Sequence, residues 1–293
     1  MSLVGKLMWT LRHPAFRERP FTSLARLAVW RARTGLGIGA TVPVERSEMA
    51  FWCPPEWRGN AKLMYVWGNS YERELAQLHR WVGPGDLAVD VGAHYGCYTL
   101  PLARIVAEEG EVVAVEPARH ARQVLARNLR INNAHNVRVL PVAAGHKAAR
   151  ATLHLHTDRS RASLRDTPFA EEAGTDSVEV VRLDDVLSPD RPVSFIKFDV
   201  EGYEVRALEG SATILTRDRP VVVFEYAPSA TIAAGLPAQG AWDLLRSYGY
   251  QMHRVTDRGD LLPLDDPTTR CATTNNIVAI HPDRRPADSH PRT

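Results

Sequence analysis

The stretch Asp90-Val91-Gly92-Ala93-His94-Tyr95-Gly96 sets an acid two residues before a glycine, with a second glycine four residues further on. It follows a short apolar run, Leu87 to Val91, and opens a helical pattern. In an open α/β sheet, ligands bind where such a strand ends. Glu116 ends the next apolar run, 20 residues after Gly96. A carboxylate there can accept hydrogen bonds from two ribose hydroxyls. The loop reads DxGxxxG and not the dinucleotide fingerprint GxGxxG. An acid at its mouth repels a pyrophosphate and welcomes an ammonium. S-adenosylmethionine has an ammonium and no phosphate, so the loop favours that ligand over a nicotinamide dinucleotide. A glycine turn that only lets a helix pack closely on a strand is the simpler reading, and Glu116 argues against it.

A second group of acids, Asp199-Val200-Glu201-Gly202-Tyr203-Glu204, follows the run Phe195 to Phe198. Strand alternation puts Lys197, Asp199 and Glu201 on one side while extended geometry lasts. Carboxylates here could take a proton from an acceptor hydroxyl, a contribution of roughly 10²–10⁴-fold. They could instead sit at the positive end of the helix that follows. Glu204 reads more simply as a solvent-facing helix charge. Glu225, after the run Val221 to Phe224, is a further candidate, and His94 and His253 are weaker ones. Asp199, Glu201 and Glu225 could in principle share a divalent ion, but spacing does not make them converge, and no metal is assigned.

These groups need elements to hold them. Runs at 87–91, 111–115, 137–142, 151–156, 178–181, 194–199, 219–225, 250–255 and 274–280 read as strands. Helical spacing covers 71–81, 98–108, 118–132, 203–215 and 238–248. Alternating strands and helices predict a mainly parallel sheet covered on both faces. The runs 250–255 and 274–280 have only a loop between them and predict an antiparallel end. The segment after Pro282 is rich in proline and charge and predicts disorder. We therefore divide the chain into an N-terminal part (1–70), a catalytic α/β domain (71–282) and a tail (283–293).

The N-terminal part differs from the rest. Residues 1–35 hold Lys6 and six arginines (Arg12, Arg17, Arg19, Arg26, Arg31 and Arg33) against one acid, Glu18. Thr22 to Arg33 predicts a helix that either packs on the main domain with its arginines solvated or lies on an anionic membrane. Gly35, Gly37 and Gly39 predict a flexible joint, and Trp52, Trp57 and Trp67 a small strand-rich cap. The net charge of +2 gives no field suited to nucleic acid. Cys53, Cys97 and Cys271 form no CxxC pair and suit a reducing compartment. With no secretory signal or long apolar run, the expectation is a cytoplasmic enzyme, with peripheral contact at the inner membrane face through the basic segment.

The ordered pieces together resemble the FkbM-type methyltransferases. They are Tyr71-Glu72, Gly85-Asp86, Asp90 to Gly96, Val115-Glu116-Pro117, Asn128 to Asn132, Leu183-Asp184-Asp185, Ile196 to Glu204, Leu208-Glu209-Gly210 and Phe224-Glu225. The resemblance spans roughly residues 70–280. It implies a Rossmann-like class I methyltransferase fold of about seven strands with the last antiparallel. It also implies S-adenosylmethionine as cofactor and O-methyl transfer to a sugar, glycan or natural-product hydroxyl. By position it sets Tyr71, Asp90, Gly92, Ala93, His94, Tyr95 and Gly96 at the donor, with Glu116 and Pro117 at its ribose and Ala143 by the adenine. Asp199 and Glu201 are then the catalytic candidates, and Ser163, Lys197 and Glu225 face the acceptor. His94 stands where the family often has asparagine. The acceptor loop 157–176 carries Arg159, Arg161 and Arg165, suited to phosphate groups or to solvent. A nicotinamide-dependent oxidoreductase and a non-catalytic nucleoside-binding module are the alternatives. The loop and the lack of a Tyr-x-x-x-Lys pair speak against the first, and the intact acidic segment against the second.

Overall fold

The computed structural model describes residues 16–17, 19–43, 49–57, 60–67, 72–157, 162–164, 172–256, 258–267 and 275–284. Tyr71, Arg159, Arg161, Arg165, Cys271 and the tail beyond residue 284 lie outside them.

Eight strands form the main sheet. β3 (Leu87–Val91) lies third from one edge, followed by β4 (Glu111–Val115) and then β5 (Val137–Leu140). On the other side lie β10 (Val193–Phe198) and β11 (Val221–Tyr226), all five running parallel. Every residue of β3 is buried, as expected of a strand covered on both faces. Past β11 the sheet turns antiparallel through β14 (Asn275–Ile280), β12 (Gln251–Val255) and β13 (Leu261–Leu264). The predicted antiparallel end is therefore present. It gains β13, which takes the sheet to eight strands instead of about seven. Pro263 and the exposed polar surroundings broke the alternation that would have marked β13. The order is that of the Rossmann-like class I methyltransferase fold. Successive strands run outward in one direction from β3 to β5 and in the other from β10 to β11, so the switch point lies between β3 and β10.

The run 151–156 is a strand, but not of this sheet. β7 (Ala149–His156) pairs with β9 (Glu172–Val181) and β8 (Ala162–Ser163) in a second sheet, which joins β6 (Ala143–Ala144) beside the cleft. The helix predicted over 203–215 is two pieces, α6 (Glu204–Glu209) and α7 (Ala212–Arg217). Gly210 at the break lies so close to Gly145 that an added Cβ would meet its carbonyl oxygen at 1.9 Å. Asp184 accepts hydrogen bonds from the backbone N–H groups of Thr213 and Ile214, capping α7 from another element.

The N-terminal part comprises α1 (Pro20–Gly35), a hairpin of β1 (Ala40–Pro43) and β2 (Ala50–Cys53), and α2 (Asn60–Trp67). It shares a hydrophobic core with the main sheet: Trp30, Phe51, Trp57 and Met64 pack in one cluster with Leu78, Tyr95, Phe195 and Val278. Two asparagines of α4 (Arg119–Ile131) hold the hairpin. Asn128 Oδ1 accepts from Trp52 N at 2.7 Å, and Asn132 exchanges hydrogen bonds with both backbone groups of Ala50 at 2.8 Å. Gly39 is not a free joint, since an added Cβ would lie 2.5 Å from the Trp52 ring. Glycine is required there by close packing, which sequence alone does not distinguish from flexibility.

Candidate active site

Two cavities open at the carboxyl ends of β3, β4 and β10, the place the switch point predicts. The larger is a cleft of about 770 Å³, counting the part open to solvent. Gly92, His94, Glu116, Pro117, Ala143, Ser163, Asp199 and Glu201 all line it, with His120 and Tyr203. The smaller, about 340 Å³, is lined by Glu72, Asp90, Ala93, Tyr98, Lys197 and others. Gly92, His94 and Asp199 border both.

The loop between β3 and α3 (Thr99–Val106) is held from three sides. Gly92 N and Ala93 N donate to Val115 O at the end of β4, and Asp199 N donates to Val91 O. Gly92 has φ +85°, and a Cβ there would lie 1.8 Å from Asp199 O. Both its conformation and the approach of β10 therefore demand glycine. Gly96, at φ +96°, would bring a Cβ within 2.8 Å of Leu125. The two glycines are thus needed by the fold itself, and close approach to a ligand is an added use. Asn128 Nδ2 donates to Tyr95 O, tying the loop to the residue that holds the hairpin. Tyr95 lines the smaller cavity, and its ring packs edge-on against Phe51.

Glu116 is buried at the base of the cleft. One oxygen accepts from His94 N and the other from Ala118 N, each at 2.8 Å. Burial raises its pKa from 4.5 to about 7 despite these bonds. Each oxygen keeps a lone pair for a ligand hydroxyl. Above it the His94 imidazole stacks on Trp57, with ring centroids 4.2 Å apart and planes 18° apart. His94 adopts φ +50°, uncommon for a residue with a Cβ. Burial, with the neighbouring His120, lowers its pKa to about 3, so the ring is neutral. Its Nε2 is buried without a hydrogen-bond partner.

The smaller cavity is a polar cage. Lys197, 1% exposed, donates to Asn276 Oδ1 at 2.8 Å and lies 3.4 Å from Asp199 Oδ2. Asn276 Nδ2 reaches Glu72 at 3.2 Å and Glu74 and Tyr98 at 3.4 Å. Burial works against the Lys197 charge, but Asp199, Glu72 and Glu225 around it keep it protonated. Asp90 accepts a 2.6 Å hydrogen bond from Thr99, and burial lifts its pKa to about 6. Glu72 rises to about 7, chiefly through burial, opposed by Lys197 and reinforced by Asp199. Acids outnumber bases here, so the cage favours a cationic occupant.

At the end of β10 the extended geometry stops sooner than alternation assumed. Lys197 and Asp199 share a side, but Glu201 sits in a turn at φ +55° beside Gly202 at +98°. Glu201 still lines the cleft, and its carbonyl accepts from Ser163 Oγ at 3.1 Å. Glu204 is not solvent-facing: it is 1% exposed and accepts from Val200 N and Gly202 N, latching the turn. Helix α6 begins after Tyr203 with no side-chain cap, so neither Asp199 nor Glu201 caps it. Glu225 does not line either cavity, yet its pKa is pushed well up by burial and by Asp199 and Glu201 nearby. Among the described residues, no three His, Cys, Asp or Glu side chains are arranged to hold a metal ion. Sequence reasoning missed Glu72, Tyr98 and His120 as lining residues, and Trp57 and Asn276 as the groups that hold His94 and Lys197. Only Glu72 carried a signal, as the neighbour of Tyr71 in a recognised pair.

No curated protein sequence matches the chain. Among solved structures it overlaps a methyltransferase FkbM from Methylobacillus flagellatus KT at 20% identity and a TM-score of 0.42, over 75% of this chain and 54% of that one. The chain thus spans about half the length of that relative. An S-adenosylmethionine-dependent O-methyltransferase from Thermotoga maritima overlaps at 15% identity and 0.42, over 73% and 67% of the two chains. Aeropyrum pernix fibrillarin, with natively bound S-adenosyl-L-methionine, overlaps at 15% and 0.41, over 71% and 73%. At these scores the overlaps add nothing to what the strand order shows. The family comparison does: the methyltransferase FkbM domain model matches residues 90–252, more than half of the chain and both acidic motifs. The chain belongs to the FkbM family of S-adenosylmethionine-dependent methyltransferases.

Proposed function

We propose that the protein transfers the methyl group of S-adenosylmethionine to a hydroxyl oxygen of a sugar, glycan or natural product. The observation that supports this reading is the meeting of the two cavities at Gly92, His94 and Asp199, with Glu201 on the wall of the larger. The residues fit the donor part by part. Glu116 offers free lone pairs to the ribose, Pro117, Ala143 and Leu153 offer apolar surface to the adenine, and the cage of Asp90, Glu72 and Lys197 suits a zwitterionic amino acid end. The neutral His94 ring over Glu116 adds no cation that would oppose a sulfonium.

The donor, when bound, supplies a methyl carbon already activated by sulfonium. What remains for the protein is to align the acceptor and remove its proton. Asp199 lies between the cavities and is held by Lys197, so its part is positioning. Glu201, on the cleft wall where the acceptor enters, takes the proton of the acceptor hydroxyl. The acceptor enters past Ser163 and the second sheet.

Calorimetric titration with S-adenosylmethionine and with NAD, followed by turnover on a panel of saccharides and glycolipids, tests the reading. The methyl donor should bind at micromolar levels, near −8 kcal/mol, and NAD should not. A product that carries its new methyl on nitrogen or carbon would refute the O-methyl assignment and leave the family intact.

A further inference from the structure

Helix α1 carries its polarity the wrong way round for a helix that packs with its charges in water. Trp30 and Ser23 face inward, Trp30 packing at a tilt against Tyr65 of α2 with centroids 5.0 Å apart. Two of its arginines also turn inward: Arg26 reaches Val66 O and Arg33 reaches Gly39 O. The outward face is apolar. Phe21, Ala25, Ala28, Ala32 and Leu36 follow one another at helical spacing, flanked by Leu24 and Val29, and all are exposed. Phe21 is 85% exposed, Leu36 75% and Leu24 52%. The exposed charges Arg17, Arg19 and Arg31 stand at the ends and margin of this stripe.

We infer that α1 docks in the plane of an anionic lipid surface, with Phe21, Leu24 and Leu36 in the headgroup–acyl boundary and the arginines on lipid phosphates. Charge complementarity selects this occupant. Pairing of two copies through the stripe would set the arginine margins against each other. The stripe is also small: a helix of 16 residues is about 24 Å long and about 10 Å wide. That face offers roughly a third of the ~800 Å² each partner of a stable complex buries. A bilayer needs no such area, because apolar burial and attraction to anionic headgroups add. The contact is in-plane, since among the described residues no helix is long and apolar enough to cross a membrane. It stands independently of the acceptor proposed above, because its test involves no methyl transfer.

The test is co-sedimentation of the full chain with phosphatidylcholine vesicles, alone and with about one third phosphatidylglycerol. Binding should appear with the anionic vesicles and fall as salt rises. The double variant Phe21→Ser with Leu36→Ser should lose about tenfold or more of it, and Arg17→Gln with Arg31→Gln several-fold. Melting temperature and donor affinity, measured alongside, should stay unchanged in both. No sedimentation at low salt overturns the inference, as does full binding by the serine variant. So does a lipid-free dimer that the serine variant dissociates, which would assign the stripe to a second copy.

Discussion

The two cavities of the site are built in opposite ways. The cleft draws Gly92, His94, Glu116, Pro117, Ala118, His120 and Ala121 from two short stretches at the ends of β3 and β4. The cage draws Glu72, Asp90, Lys197 and Asn276 from positions up to 204 residues apart. In the cleft, the backbone does the work: N–H groups fix Glu116, and glycines let strands meet. In the cage, side chains fix one another, with Asn276 bridging a lysine and two glutamates. Damage to the cleft should therefore show as lost contacts with ligand, and damage to the cage as a change of charge.

The largest effect is expected where the two meet. If Glu201 takes the acceptor proton, Glu201→Gln keeps the shape and removes the basicity. Turnover should drop by ~10²–10⁴-fold with donor affinity nearly unchanged. Asp199→Asn should disturb both, because it also removes one of the charges that hold Lys197. A Glu201→Gln enzyme with near-normal turnover would remove Glu201 as the base and move the search to the histidines of the cleft and to Glu225 behind it.

Glu116 comes next. Removing it by Glu116→Ala should weaken donor binding by roughly 1.5–3 kcal/mol. It also strands the N–H groups of His94 and Ala118, so a melting temperature lowered in the donor-free protein is expected too. Glu116→Gln separates the two effects, since one oxygen remains to accept. Equal donor affinity in wild type and both variants, read by calorimetry, would remove the ribose role.

The fold was legible in the sequence wherever elements are local and strongly patterned. The buried strands β3, β4 and β10 read directly from their apolar runs. The recognised pieces were legible as a series but not by role. Asn128, Asn132, Asp184 and Glu204 hold backbone in place, whereas Asp90 and Glu201 face cavities. All are polar residues at element ends, and only the fold separates the two uses. Asn276 had no signal, because its partners are fixed by the antiparallel register of β14 against β11. The outward apolar face of α1 was equally hidden, since arginine-rich spacing suggests solvated arginines until the packing partner is known.

A smaller effect concerns pH. Glu72, Glu116 and Glu204 have pKa values raised to about 7 and Asp90 to about 6, each mainly by burial. Unfolded, these groups titrate near 4–4.5. Between those values the folded chain holds more protons than the unfolded one, so stability falls as pH rises. The donor-free protein should melt lower at pH 8 than at pH 5.5. A bound cationic donor favours the ionised cage and should narrow that gap, with affinity rising over the same range. Donor affinity independent of pH between 5.5 and 8 would count against a cationic end in the cage.

The smallest expected effect belongs to His94, and it tests whether the cleft depends on backbone or side chain. Asparagine tolerates a positive φ better than most residues with a Cβ, so His94→Asn suits the φ of +50°. The backbone N–H that binds Glu116 is kept. What is lost is the stack on Trp57 and a buried Nε2 that has no partner. Aromatic pairs contribute about 0.5–1.5 kcal/mol beyond their area, and relieving an unsatisfied nitrogen offsets part of that. A melting temperature within about 4 °C of wild type and a donor affinity within about threefold are therefore expected. A loss of donor binding as large as that of Glu116→Ala would mean that the imidazole itself touches the donor. Trp57→Leu then locates the contact: it removes the stacking partner while leaving His94, so a shared loss assigns the effect to ring placement and a spared affinity assigns it to Nε2.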